Sequence, residues 1–314
     1  MDIIYRPKEY CREYAKISCG QLPQLIAVRK GLKPVLDEVI PIEKYQRFKS
    51  VCSKYGLMVK PGWRFVEVDE SRILSSIDGD KLTTTKFFGL PFSERHKEGL
   101  VRVFIAKDEE NIKLAQRFGW YPLVVKGRAL IKPFIDYLRF GKVLGYPGCC
   151  IDFFRKYNDH SKYSNLYETY KSTEGELNFL CNCLFFDFTY SLIHHLPCSF
   201  NCNETIKYAG ALLKEIQYED PEFAAKIEHY QKLPFLVFGE KNIYAFEGRS
   251  KGNEIHYTEG TYIGRPIDNK FSKELSEGNR MIVEDKKIEI FRDDKFISKI
   301  DKEKPENGFM LQFK

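Results

Sequence analysis

Leu233-Pro234-Phe235-Leu236-Val237-Phe238-Gly239-Glu240-Lys241-Asn242-Ile243-Tyr244-Ala245-Phe246 is the stretch on which the fold turns. Two runs of β-forming residues, Phe235–Phe238 and Ile243–Phe246, flank a Gly239-Glu240 break short enough for a hairpin. Glu254–Thr258, Met281–Glu284, Lys287–Phe291 and Phe296–Ile300 repeat the pattern, with short breaks at Asp285-Lys286 and Asp293-Asp294. Residues 232–314 therefore read as a small antiparallel β domain.

Upstream the period changes. Residues 129–218 read as mostly helical. A helix over 174–194 would carry Leu177, Leu180, Cys181, Leu184, Phe188 and Leu192 at spacings of three and four, which is a core-facing stripe. Another helix after Asn203 has Ile206, Ala209, Leu213 and Ile216 on one face. Further back, Val101–Ala106 reads as a strand and Asp108 as the N-cap of a helix through Phe118. Gly119 would end that helix, and Tyr121–Val125 reads as a second strand, a β–α–β order that suggests a parallel pair. It has no glycine-rich phosphate loop. Trp63–Val68 and Leu82–Phe88 are strand-like, separated by the turn Asp78-Gly79-Asp80, and residues 8–56 read as helical with a second helix near Ile42–Tyr55. The expectation is an α+β protein: a basic helical segment (1–60), an α/β-helical metal-binding domain (61–231) and the β domain (232–314).

At 314 residues, 43% hydrophobic and 15% aromatic, the chain can bury a substantial core, and it is not a mainly disordered one. The formal charge of +6 arises entirely in residues 1–60, with 12 Lys/Arg against 6 Asp/Glu; residues 61–220 have 21 of each and residues 221–314 have 17 of each. Arg12, Lys16, Arg29, Lys30, Lys33, Lys44, Arg47 and Lys49 recur there. They form either a solvated helical face or an element that attracts phosphate backbones. Met1-Asp2-Ile3-Ile4-Tyr5-Arg6 has no apolar signal region. The most apolar stretch, Phe179 to Phe200, contains Asn182, Asp187, His194 and His195, which lipid would not tolerate. A soluble, cytoplasmic protein without a membrane partner is expected.

Nine cysteines in a chain of this length do not make a disulfide scaffold, and six of them fall between 149 and 202. In Gly145-Tyr146-Pro147-Gly148-Cys149-Cys150-Ile151-Asp152-Phe153-Phe154, a Pro-Gly turn leads two thiols into a helix start, where unpaired N–H groups and the helix dipole favour thiolate. In His194-His195-Leu196-Pro197-Cys198-Ser199-Phe200-Asn201-Cys202-Asn203, Pro197 ends one helix and Ser199 or Asn203 can cap the next; a start near Ser199 would put Cys202 in its first turn. Cys149, Cys150, Cys198 and Cys202 thus form a plausible thiolate cage. The chain has no C-x2-C knuckle of the structural zinc kind. The C-x3-C step and the adjacent pair suit a [4Fe-4S] cluster better, with three or four cysteines binding. Zinc through Cys198, Cys202, His195 and one of Cys149 and Cys150 is the alternative, and buried thiols without metal are the bland one.

The blocks G-Y-P-G-C-C and P-C-S-F-N-C, with the apolar stretch and His-His between them, resemble an uncharacterised prokaryotic family known only as a domain of unknown function. Its members share a G-Y-P-x-C-C block and a P-C-S-x-x-x-C-like block. The resemblance covers residues 140–210 well and Leu233–Tyr257 more loosely. It implies that the four cysteines are a site, and implies no activity.

Cys181 and Cys183 would lie about 200° apart on a helix, with Cys181 on the core stripe. Near the centre, His195, Asp187 and Tyr146 are the candidate proton-handling groups, set against a structural ion pair for Asp187 with Arg155 or Arg139 and turn packing for Tyr146. Asp152 reads as a first-turn helix carboxylate. No G-x-S-x-G, P-loop, H-E-x-x-H or C-x3-C-x2-C is present, which removes the radical iron–sulfur class. Two functions follow. One is an iron–sulfur enzyme whose cluster acts as Lewis acid or in sulfur chemistry on a phosphate-bearing ligand such as RNA. The other is a zinc-stabilised nucleic-acid or protein binding module without catalysis.

Overall fold

The structure is a computed structural model and describes residues 22–67, 87–91, 100–118, 121–125, 128–134, 136–158, 164–185, 190–239, 242–264 and 269–314. Residues 8–21, the 78–80 turn, residues 82–86 and Asp187 lie outside the described residues. The described chain forms two compact units, and the division falls after Ile151, inside the continuous helix Gly148–Tyr157.

In the first unit, α1 (Leu22–Lys30) carries Arg29 and Lys30 in its last turn, where cations complement the helix dipole. β1 (Val35–Pro41) follows, then a single 3-10 turn (Ile42–Lys44) and α2 (Tyr45–Ser53). β2 (Met58–Glu67), β3 (Phe87–Pro91) and β4 (Leu100–Ala106) complete a four-stranded antiparallel sheet of order β1-β4-β2-β3. α3 (Glu109–Phe118) starts at Asp108, whose carboxylate accepts the Asn111 N–H at 2.8 Å. Ile112 and Ala115 of α3 pack with Val35, Phe104 and Ala106 of the sheet. β5 (Tyr121–Val125) and β6 (Arg128–Phe134) form an antiparallel pair, and α4 (Tyr137–Val143) follows.

Three expectations are corrected here. Residues 35–41 are a strand rather than helix: Pro34 and Pro41 bracket a segment with β-branched Val35, Val39 and Ile40, and proline disfavours helix in the residue before it. Residues 128–134 are likewise a strand. The 101–125 elements all exist, but they do not form a parallel pair. β4 is hydrogen-bonded antiparallel on both sides, to β1 and β2, so it has no edge for β5, which pairs with β6 instead.

The second unit begins within α5 (Gly148–Tyr157) and continues through α6 (Asn165–Lys171), capped by Ser164. The helix expected over 174–194 is absent. The described part of that stretch is irregular, with one 3-10 turn at Phe179–Cys181. Side chains do there what helical hydrogen bonds would have done. The Asn182 amide donates to Gln231 O (2.9 Å) and accepts from the Leu184 N–H (2.9 Å), and Gln231 Nε2 donates to Tyr190 O (2.6 Å). Asn182 and Gln231 are fully buried, so these bonds are formed away from water, where leaving them unmade is costly. Three residues of the stripe are still core: Cys181, Leu184 and Leu192 are buried, without helical period.

α7 (Asn203–Glu219) and α8 (Pro221–Gln231) follow, the second begun by Asp220 as N-cap with proline in the first turn. The antiparallel β region is as expected in type. β7 (Pro234–Gly239), β8 (Asn242–Lys251), β9 (Glu254–Gly264), β10 (Arg280–Val283), β11 (Lys287–Arg292), β12 (Lys295–Asp301) and β13 (Phe309–Gln312) form one sheet of order β12-β11-β10-β9-β8-β7-β13. Alternate residues Tyr244 and Phe246, Ile255 and Tyr257, Met281 and Val283, Ile288 and Ile290 share one core with Phe271 and Leu275 of α9 (Asn269–Glu277). β8 and β9 slip register at Glu247/Gly248, a bulge that only glycine fits, since a Cβ on Gly248 would lie 2.0 Å from His256 O. On the other face, Phe235 packs edge-on against Phe185 and Phe313, and Phe313 against Phe200. β13 was not legible as a strand; it is four residues long and pairs with β7, seventy residues earlier in the chain.

No helix among the described residues is long and apolar enough to cross a membrane.

Candidate metal centre

The first half of the centre is set by how α4 stops. Gly145, at φ +75°, accepts the left-handed conformation that ends the helix: the Tyr146 N–H reaches back to Gly141 O (2.9 Å) and the Gly145 N–H to Lys142 O (3.0 Å). A side chain is excluded there twice over, since a Cβ would also meet Pro34 Cδ at 2.7 Å. The carbonyl of the C-cap residue, Leu144 O, accepts a hydrogen bond from Lys33 Nζ, and the same ammonium sits 4.5 Å from the centroid of the Tyr146 ring. Lys33 is only 3% exposed, so it does not belong to the basic surface on which the sequence placed it. Burial holds its pKa down at about 8, against a smaller upward pull from Asp37.

From that fixed turn the chain passes into α5. Pro147 O accepts the N–H groups of Cys150 and Ile151, both at 3.0 Å, which places Cys149 and Cys150 in the first turn. Cys149 is exposed and Cys150 is buried.

The second half is a loop pinned by side chains that the sequence reading did not single out. Phe200, fully buried between Cys198 and Cys202, stacks edge-on with Phe313 at 5.2 Å. Its N–H donates to Thr173 Oγ1 (2.8 Å) and its carbonyl accepts the Asn178 N–H (2.8 Å). Thr169 Oγ1 donates to Pro197 O (2.9 Å), and the Asn201 amide donates to Glu174 O. The helix starts later than expected: α7 begins at Asn203, and Cys202 is its N-cap, with its carbonyl accepting the Ile206 N–H at 2.9 Å. Neither Ser199 nor Asn203 takes that role. The only warning in the sequence was the Phe in a polar C-x3-C loop, an aromatic residue needing a place to bury.

Together these local structures bring the sulfurs of Cys149, Cys150, Cys198 and Cys202 all within 4.8 Å of one another. The adjacent pair has its sulfurs 3.9 Å apart. Cys198 is half-buried and Cys202 buried. A tetrahedral ion with metal–sulfur bonds of about 2.3 Å spaces its sulfurs about 3.8 Å apart. Four soft thiolate donors at this spacing are a donor set for zinc or another thiophilic ion.

Of the other candidates, His195 is not in this set. Its Nε2 is engaged with Thr205 Oγ1 at 2.9 Å, and both residues are buried. Tyr146 packs against the first unit's Val35–Phe104 core, under Lys33. Asp152 is exposed and pairs with Arg155 at 3.5 Å. Cys181 and Cys183 are both buried, on an irregular segment rather than on two faces of a helix. Cys181 donates to Cys202 O at 3.7 Å. Burial first, and then the neighbouring Cys202 and Cys198, push its thiol up to about 12, so it is a protonated packing residue beside the centre.

Comparison of the chain with protein-family models, with curated proteins and with solved structures gave no match.

Proposed function

We propose that the protein binds one zinc ion through Cys149, Cys150, Cys198 and Cys202, and that the ion serves as a structural clamp joining the start of α5 to the start of α7. The mutual approach of the four sulfurs, within 4.8 Å, carries this reading. Two ligands of one ion can stand no more than about 4.6 Å apart, twice the bond length, and a set with this spread closes around one ion with small adjustments. A cubane cluster bonds each thiolate to a different iron and holds them farther apart. Four protein thiolates also fill a tetrahedron, leaving no coordination position for water or substrate, which is the arrangement of structural rather than catalytic zinc. On this reading the protein is a zinc-stabilised binding module. The resemblance to the family with G-Y-P-x-C-C and P-C-S-x-x-x-C-like blocks belongs to the same proposal, as does a cytoplasmic setting that keeps the thiols reduced.

One observation favours a second reading. Cys149 is exposed, so one edge of the centre faces solvent. An iron–sulfur enzyme would use such an edge to reach substrate, with His195, Asp187 and Tyr146 handling protons and a phosphate-bearing ligand such as RNA as substrate. It requires the four sulfurs to spread around a [4Fe-4S] cluster.

Metal analysis of protein purified without air separates the two. A colourless protein with one zinc per chain is expected. A brown protein absorbing near 400 nm, with about four irons per chain, overturns the zinc reading in favour of the cluster.

A further inference from the structure

The four cysteines are unequal in exposure and in whether their backbones are part of a helix start. Cys149 is exposed and Cys198 half-buried, whereas Cys150 and Cys202 are buried. The Cys150 N–H is tied to Pro147 O, and Cys202 O receives the first helical hydrogen bond of α7. Cys198 lies in the loop outside both helices. All four sulfurs are within 4.8 Å, so any pair needs only a modest shift to reach bonding distance.

Resting on the zinc reading, we propose that Cys149 is an oxidative modification site. A peroxide enters at this thiolate and the reaction ends in a Cys149–Cys198 disulfide that releases the ion. In the first step the Cys149 thiolate attacks one peroxide oxygen and the O–O bond breaks. Cys149 becomes a sulfenic acid, and the other oxygen leaves as hydroxide, which takes up a proton. In the second, the Cys198 thiolate attacks the sulfenic sulfur, the S–S bond forms, and a second hydroxide leaves and is protonated. The two sulfurs lose two electrons and the peroxide gains them, so one hydrogen peroxide and two protons become two waters. Zinc, left with Cys150 and Cys202, departs.

Cys198 is the resolving thiol for geometric reasons. Cys150 shares a peptide bond with Cys149, and a ring closed across that bond would distort the first turn of α5. Cys202 would have to leave the N-cap of α7, breaking the bond from Ile206. Cys198 can move without unwinding a helix.

The test is peroxide titration of the zinc-loaded full chain, following zinc release with a coloured chelator and mapping disulfides by non-reducing mass spectrometry. One zinc released per peroxide consumed, with a Cys149–Cys198 bond, is expected, and Cys149→Ser slows release by about tenfold or more. In Cys198→Ser, oxidation stops at a sulfenic or sulfinic Cys149 without a disulfide. Should either variant fail to take up zinc, limited iodoacetamide labelling of the zinc-loaded natural chain decides, Cys149 being alkylated before the other three. A Cys198–Cys202 disulfide, or first labelling elsewhere, overturns this proposal while leaving the zinc reading intact; a chain that holds no zinc before peroxide is added overturns both.

Discussion

Cys149 and Cys150 are neighbours in sequence, yet their sulfurs lie 3.9 Å apart on the same side of a helix start, close to the spacing of two ligands on one tetrahedral ion. One thiol of the pair is exposed and the other buried. On the zinc reading, removing the buried thiol would strip the centre, while removing the exposed one would open it to water. Cys150→Ala and Cys202→Ala should lose the metal; Cys149→Ala should keep it with weakened affinity. Chelation of the natural chain should lower its unfolding free energy by about 4 kcal/mol, the value for a site held about a thousandfold above its dissociation constant. Metal content and denaturant melts of the three variants check this. Retention of zinc by Cys202→Ala would contradict it.

Lys33 makes stability depend on pH in an uncommon direction. Its pKa is about 8 in the folded chain against 10.5 for an ordinary lysine, because burial disfavours the ammonium. Below about pH 8 both states are protonated and the folded state bears the full burial penalty. Between about 8 and 10.5 the unfolded chain holds a proton that the folded chain has lost, so stability rises with pH through this window, by up to about 3 kcal/mol. Relative to Lys33→Met, which has nothing to titrate there, the natural chain should gain stability from pH 7.5 to 10 in denaturant melts. A constant difference between the two proteins would refute the burial of this charge.

His195 is held by Thr205, Nε2 to Oγ1 at 2.9 Å, with both side chains buried. Thr205→Val keeps the shape and leaves the imidazole nitrogen without that bond. A loss of about 1–3 kcal/mol is expected, with zinc content unchanged. Zinc loss on this substitution would return His195 to the ligand set.

Gly145→Ala should destabilise the first unit by about 2–4 kcal/mol. The left-handed conformation costs a side chain about 1–2 kcal/mol, and crowding against Pro34 adds to it. Because the same turn delivers Cys149 and Cys150, the zinc affinity should fall as well, whereas Gly248→Ala, at the β8–β9 bulge, should destabilise without that selective effect on metal. Chelator competition on both variants separates the two outcomes.

How much was legible depends on how local the cause was. The hairpins of β7–β8 and β10–β12, the Asp108 cap and the turn before Cys149 are set by neighbouring residues, and each is found where turn and capping chemistry put it. The 174–194 stretch had a helical stripe and is not a helix, since Asn182 and Gln231, 49 residues apart, supply the backbone bonds that periodicity cannot foresee. Lys33 looked like surface charge and is buried over the ring of Tyr146, 113 residues away in sequence.

The sequence alone narrowed the metal-binding candidates to four thiols in two short blocks, with His195 as an alternative ligand. Their convergence came from tertiary structure. The separation of nearly fifty residues between the blocks left the sulfur spacing open. The shape of each block follows from Phe200 seated on Phe313 and the threonine bonds that pin one loop, and from the Lys33-held end of α4 before the other. These are long-range packing contacts, which depend on the whole folded chain rather than on local propensity.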